Sequence, residues 1–255
     1  MGLLFGALRL HLNQFSVPTY IAAWGFGVWV VFLVSLLNHN HHHHPTFHSG
    51  ILNRVTDILI SICIGAPSTR LHLVHHFNHH RHYQSEKDWS NYRIHAKSKG
   101  VLRILYYLFS ASREMAKNRR NIPAPLSLQK HQVTERIVLG SFSLVALWLN
   151  PGIFLGLIVP TWVGGLCLLL TSNLFNHDQC DLESEYNHSR NFLGKVENWF
   201  FLNNGFHSAH HEKPELHWSL LPELHERTFE HHTNENLKQS SFLVYFARYI
   251  FKNEI

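Results

Sequence analysis

Charge-free apolar blocks alternate with polar, histidine-dense ones along this 255-residue chain. Between Leu12 and Asn38 there is no Asp, Glu, Lys or Arg, and Tyr20 to Leu37 is almost continuously apolar, close to the ~20 residues a helix needs to cross hydrocarbon. From Ile137 to Thr171 again nothing is charged, and Asn150-Pro151-Gly152 in the middle is a turn signal that splits the stretch into two helices. The pattern predicts three membrane spans, at about 18–37, 133–149 and 153–172, the last two forming a hairpin. Its first arm is short and has to borrow residues from Gln132 onward. Ile51 to Ala66 repeats apolar residues at 51, 55, 58, 59, 62 and 66 with Asn53, Arg54, Asp57 and Ser61 opposite. That predicts a helix lying in the headgroup plane, stopped by Gly65 and Pro67. Val101 to Phe109 and Phe242 to Phe251 read as further interfacial or packing helices.

The mean hydropathy of −0.11 averages over these blocks and hides a membrane protein. Of 22 Lys and Arg residues, fourteen lie between His39 and Arg136, seven follow Thr171, and Arg9 precedes the first span. Basic loops stay cytoplasmic, so 38–132 and 173–255 are both expected on the cytosolic side of an inner, plasma or ER-like membrane. The fold class expected is an all-α integral membrane protein with a cytosolic, His-rich helical cap holding a di-metal site. One domain over 1–255 is expected, without internal repeats or a separating linker. The net charge of +5 is explained by loop orientation and anionic headgroups rather than nucleic acid. Cys63, Cys167 and Cys180 form no disulfide or metal spacing. Arg9, His11 and Asn13 interrupt any cleavable-signal pattern, so the first span is expected to remain as an anchor.

Twenty-four histidines then change the picture. Most stand in three clusters, His39 to His44, His72 to His82 and His207 to His211, with His177 and His188 between. Imidazole is neutral near pH 7 and offers one lone pair, which suits a first-row transition metal. On a helix, residues i, i+3 and i+4 share a face, so His39/His43 (HxxxH), His76/His79/His80 (HxxHH) and His207/His210/His211 (HxxHH) each aim several nitrogens one way. Asn173/His177 (NxxxH) has the same geometry after the hairpin. Eight to ten ligands exceed what one ion takes, so two metals with a position open for dioxygen are the natural count. Two other registers spell the same boxes, His44/His48 and His72/His75/His76, and His188 is an alternative to His177. Asp88 and Asp178 are the first candidates to accept a second ring N–H from a ligand, ahead of Asp181, Glu183, Glu185 and Glu212. His95, His131, His225, His231 and His232 lack partners at useful spacing or sit in polar tails and are expected at the surface or facing headgroups, while His217 and Trp218 either line a substrate entrance or pack under the last box. A structural zinc site would not multiply histidines in this way, a carboxylate-type di-iron bundle needs two ExxH pairs, and HExxH is absent. A His-rich metal transporter or store is the competing reading, but the charge-free stretches Leu12–Asn38 and Ile137–Thr171 carry no Asp, Glu, Lys or Arg to pass an ion.

HxxxH, HxxHH, a membrane hairpin, NxxxH and a final HxxHH, in that order, resemble the membrane fatty acid desaturase superfamily, which also holds hydroxylases and ketolases. The resemblance runs from about Asn38 to Pro222 and includes Asn53, Glu86-Lys87-Asp88 and His217-Trp218-Ser219 beside the boxes. It implies that His39, His43, His76, His79, His80, Asn173, His177, His207, His210 and His211 surround two Fe ions, with O2 as co-substrate. It favours His39/His43 because Asn53 follows ten residues on, and His76/His79/His80 because Glu86-Lys87-Asp88 follows at the family distance. The activity implied is desaturation of a fatty acyl or similar long apolar chain, with hydroxylation or carotenoid ketolation as the alternative. No HPGG haem motif, Gly-rich dinucleotide loop or iron–sulfur Cys pattern occurs, which implies an external donor of ferredoxin, rubredoxin or cytochrome type.

Overall fold

The computed structural model describes residues 16–118 and 124–251. Arg9, His11 and Asn13, and with them the expectation about a cleavable signal, lie outside the described residues. Among the described residues, the helices of six residues or more are α1 (Val17–His43), α2 (Gly50–Ile64), α3 (Ser68–His82), α4 (Gly100–Asn118), α5 (Leu126–Leu149), α6 (Pro151–His177), α7 (Lys195–Phe200), α8 (His207–Glu212), α9 (Leu221–Thr228) and α10 (Phe242–Phe251). Among the described residues, the strand content is a parallel pair of two-residue strands, β1 (Asn191–Phe192) and β2 (Lys238–Gln239). The fold is all-α, and α1, α5 and α6 are long and apolar enough to cross a membrane. At the hairpin turn, Asn150 Oδ1 accepts the Ile153 N–H at 3.0 Å and Pro151 opens the next helix, the chemistry expected of a helix start. The helix α5 begins well before its charge-free stretch, carrying Lys130, His131, Glu135 and Arg136 within it.

Contacts fall into two compact units interleaved in sequence. The first takes residues up to Asn38, Phe47–Leu71 and Pro125–Leu169; the second takes His39–Thr46, His72–Ala124 and Leu170 onward.

In the first unit α2 packs along α5. Ser49 caps α2 and Gly65 ends it in the left-handed region at φ 70°, where an added Cβ would collide with the Trp162 ring. The helix α2 is apolar on both faces: Asp57 and Ser61 are buried beside Ile60 and Ile64, while Ile51, Leu52, Val55 and Leu59 are exposed. Apolar surroundings explain this, because lipid accepts the apolar face and polar groups must find partners inside. Asp57 Oδ2 meets His131 Nε2 at 3.0 Å, and Asp57 Oδ1 accepts from Ser68 Oγ at 2.8 Å. The buried Glu135 carboxylate accepts from Ser61 Oγ at 3.3 Å, from the Thr69 N–H at 3.2 Å and from Thr69 Oγ1. His131 is therefore an interior partner, not the surface residue expected from its isolated position.

In the second unit α10 turns Phe242, Tyr245 and Tyr249 inward. Phe242, Tyr245, Phe246 and Tyr249 surround the buried Phe175 ring of α6 at centroid distances of 4.9–6.0 Å. The same end of α6 is fixed by Arg190, which donates to the Phe175 carbonyl at 2.5 Å, and by Arg103, which grips Asp178 through two nitrogens at 2.6 and 3.0 Å. Asn191 and Ser208 exchange two hydrogen bonds of 2.9 Å, tying β1 to α8. Trp218 packs against the Ala209, Leu221 and Phe229 cluster beneath α8, which favours the packing role over an entrance role. His95 and His225 are buried, contrary to expectation. His95 Nδ1 lies 2.7 Å from Ser110 Oγ, and His225 Nε2 lies 3.4 Å from Glu230.

Candidate metal centre

His39 and His43 stand one turn apart at the C-terminal end of α1, as i, i+4 spacing on a helix requires. His177 is the last residue of α6, and α8 supplies His207, His210 and His211. The middle cluster behaves differently. Residues His75–His79 of α3 form a π turn, with the His80 N–H bonded to the His75 carbonyl five residues back. The wider turn brings residues i and i+5 onto one side, and His75 Nε2 and His80 Nε2 stand 2.9 Å apart.

Two groups of imidazoles result, both within the second unit. In the first, ligand nitrogens of His39, His43, His75, His80 and His210 all lie within 4.8 Å of one another. Four Nε2 atoms close a ring: His39 to His75 at 2.7 Å, His75 to His80 at 2.9 Å, His80 to His210 at 3.0 Å and His210 to His39 at 3.1 Å. In the second, His79, His177 and His211 converge in the same way. His207 Nε2 joins them, 3.0 Å from both His177 Nε2 and His211 Nε2.

Hydrogen bonding alone does not account for the four-membered ring. A neutral imidazole nitrogen carries either a proton or a lone pair, so N–H···N bonds satisfy at most two of the four contacts. Protonation is opposed by the surroundings. Burial first, and neighbouring imidazoles second, hold His207, His210 and His211 far below the ordinary 6.5. Burial also lowers His72 and His188, each to about 4. Converging lone pairs in surroundings that disfavour protonation call for a cation. Nitrogens at right angles around one ion with bonds of ~2.1 Å stand about 3 Å apart, which is the spacing of the ring. Among the described residues, both nitrogens of His43 and Nε2 of His79 are buried without a hydrogen-bond partner, so the donor set fits two metal ions.

Around this set, Asp88 holds His79: the carboxylate Oδ2 lies 2.8 Å from Nδ1, and both residues are buried. Burial pushes the Asp88 carboxyl up, but its contact with the His79 ring and the hydrogen bonds from Ser90 outweigh it, leaving the group below its ordinary value. Asp178 is instead turned to Arg103, and Asp181, Glu183, Glu185 and Glu212 face outward. The Asn173 amide donates to Tyr107 Oη at 2.8 Å. His188 Nδ1 bonds Tyr83 Oη at 2.8 Å, and its ring stands 6.3 Å from that of His211. His44 and His48 are exposed, His44 lying against His217. His72 stacks on His76 at 5.1 Å. His76 itself stands outside the five-histidine group, in a third set with His43 and Glu215 whose ligand atoms lie within 4.8 Å of one another. The structure thus brings His75 into the position that the HxxHH spacing gave to His76, and the π turn is the reason.

Comparison with known proteins gives one finding of weight. The family model for fatty acid desaturases matches residues 16–240, nearly the whole chain. No curated protein and no solved structure matches the sequence.

Proposed function

The chain belongs to the fatty acid desaturase family, and from that premise we propose that it is a membrane oxidoreductase that uses two irons, O2 and external electrons to desaturate a fatty acyl or similar long apolar chain. The observation that carries the reading is the pair of converging imidazole groups, nine rings from four separate segments. His39, His43, His75, His80 and His210 would hold one ion, and His79, His177, His207 and His211 the other. Iron held there supplies the dioxygen activation and one-electron chemistry that an unreactive C–H bond requires.

The chain's own groups prepare that site. Burial disfavours protonation of His207, His210 and His211, so their lone pairs remain available. Asp88 accepts the Nδ1 proton of His79, which leaves Nε2 as the ligand atom and fixes the ring's orientation. Arg103 and Arg190 hold the end of α6, and therefore the position of His177. The basic residues flanking the spans support a cytoplasmic orientation for the histidine-rich unit. Electrons come from a partner of ferredoxin, rubredoxin or cytochrome type, because the chain carries no redox motif of its own.

Lipid profiling of a host expressing the protein tests the reading, with His210→Ala as control. A new double bond that disappears in the variant is the expected result. A new hydroxyl that disappears would overturn desaturation in favour of hydroxylation, and a profile unchanged by expression would overturn the substrate class.

A further inference from the structure

His43 belongs to two sets of potential ligands. One is the buried five-histidine group; the other joins it to His76 and Glu215. Both of its nitrogens are buried without a hydrogen-bond partner among the described residues, and the residue is only 5% exposed. A neutral ring has one lone pair, so His43 serves the two sets in turn and not together. His76 Nδ1 is likewise buried and unpartnered, and the His43 and His76 rings stand 5.4 Å apart.

The second set differs in kind from the first. Two imidazoles and one carboxylate are the donor set of facial-triad sites that take ferrous iron with open positions for water. Its members are also graded in burial: Glu215 is exposed, His76 intermediate and His43 buried. A hydrated dication needs a route into an enclosed site, and a set of neutral imidazoles gives it no opposite charge to approach. Glu215 supplies that charge at the surface, in the turn following α8.

We propose that Glu215, His76 and His43 form a loading site that captures ferrous iron from solvent and passes it to the five-histidine group through the shared His43. The inference rests on the reading of that group as a metal site. Capture replaces water ligands of the ion with the Glu215 carboxylate and the two rings. Transfer exchanges Glu215 and His76 for the buried imidazoles, with no change of oxidation state.

The test is anaerobic iron uptake by the metal-free full-length protein in detergent, with ferrous iron alone as the probe, comparing wild type, Glu215→Gln and Glu215→Asp. Glu215 is exposed, so its replacement leaves the core untouched. The expected result is uptake slowed by about tenfold or more in Glu215→Gln, largely restored in Glu215→Asp, with both reaching the wild-type iron content at equilibrium. Equal uptake rates in wild type and Glu215→Gln would overturn the loading role alone. A lower equilibrium content in Glu215→Gln would also overturn it, making Glu215 a permanent ligand. Failure of the wild-type protein to take up iron would bring down the underlying metal-site reading as well.

Discussion

Asp88 and His79, nine positions apart in the sequence, meet through a 2.8 Å hydrogen bond between a carboxylate oxygen and Nδ1, with His79 1% exposed and Asp88 1% exposed. Further donors from the Gln84 and Ser90 backbone at 2.9 and 2.8 Å hold the carboxylate in place. Asp88 therefore orients the ring whose other nitrogen faces His177 and His211. Replacing Asp88 with Asn keeps the shape but removes the charge that favours a proton on Nδ1. Iron affinity is expected to fall roughly 10–100-fold, measured by competition with a chelator. Undiminished affinity would show that the pair is structural only.

The π turn of α3 makes a sharper prediction about adjacent histidines. His75→Ala removes a member of the closed Nε2 ring, so equilibrium iron content should drop and activity fall to background. His76→Ala leaves that ring whole, and the protein should still reach two irons per chain in excess iron. Metal analysis of the two variants side by side decides the register; the opposite order would restore the HxxHH reading.

That register marks the limit of what the sequence made legible. HxxxH in α1 and HxxHH in α8 were readable because ordinary helical spacing places their members together. The middle box was not, since both His75 and His76 fit some histidine pattern and a local change of helical period leaves no mark in spacing alone. An i, i+5 pair such as His75/His80 was the available signal. The spans at the hairpin were legible from Asn150-Pro151-Gly152, but the start of α5 was not, because the partners that satisfy Glu135 come from Ser61 and Thr69, far away in sequence. His131 was misplaced for the same reason: its partner Asp57 is 74 residues distant.

Acid should destabilise the metal-free protein. Burial, reinforced by neighbouring imidazoles, lowers the folded-state values of His207, His210 and His211 well below 6.5, and that of His72 to about 4. Below pH 6.5 the unfolded chain takes up protons that the folded chain refuses, so folding stability falls as pH drops. Above that value these groups contribute no slope. Thermal unfolding of the metal-free protein between about pH 5 and 8 should give a midpoint that is level at the alkaline end and falls steadily below 6.5. A midpoint that rises toward acid would mean that these rings are charged in the folded state.

The first unit offers a prediction independent of metal. Glu135 is fully buried in α5, and its carboxylate receives Ser61 Oγ, the Thr69 N–H and Thr69 Oγ1. Removing the acceptor leaves these donors in apolar surroundings with nothing to replace it, a loss on the order of 1–3 kcal/mol for a buried group. Glu135→Ala should therefore lower the unfolding temperature in detergent markedly. Glu135→Gln retains one carbonyl oxygen for Thr69 and should lie between the variant and the wild type. The Thr69 hydroxyl provides the internal check, because Thr69→Val removes one donor along with its need for an acceptor. Its effect in the Glu135→Ala background should be smaller than in the wild type, since the bond it would break is already gone. Additive losses in the double variant would show that Glu135 and Thr69 stabilise the first unit separately.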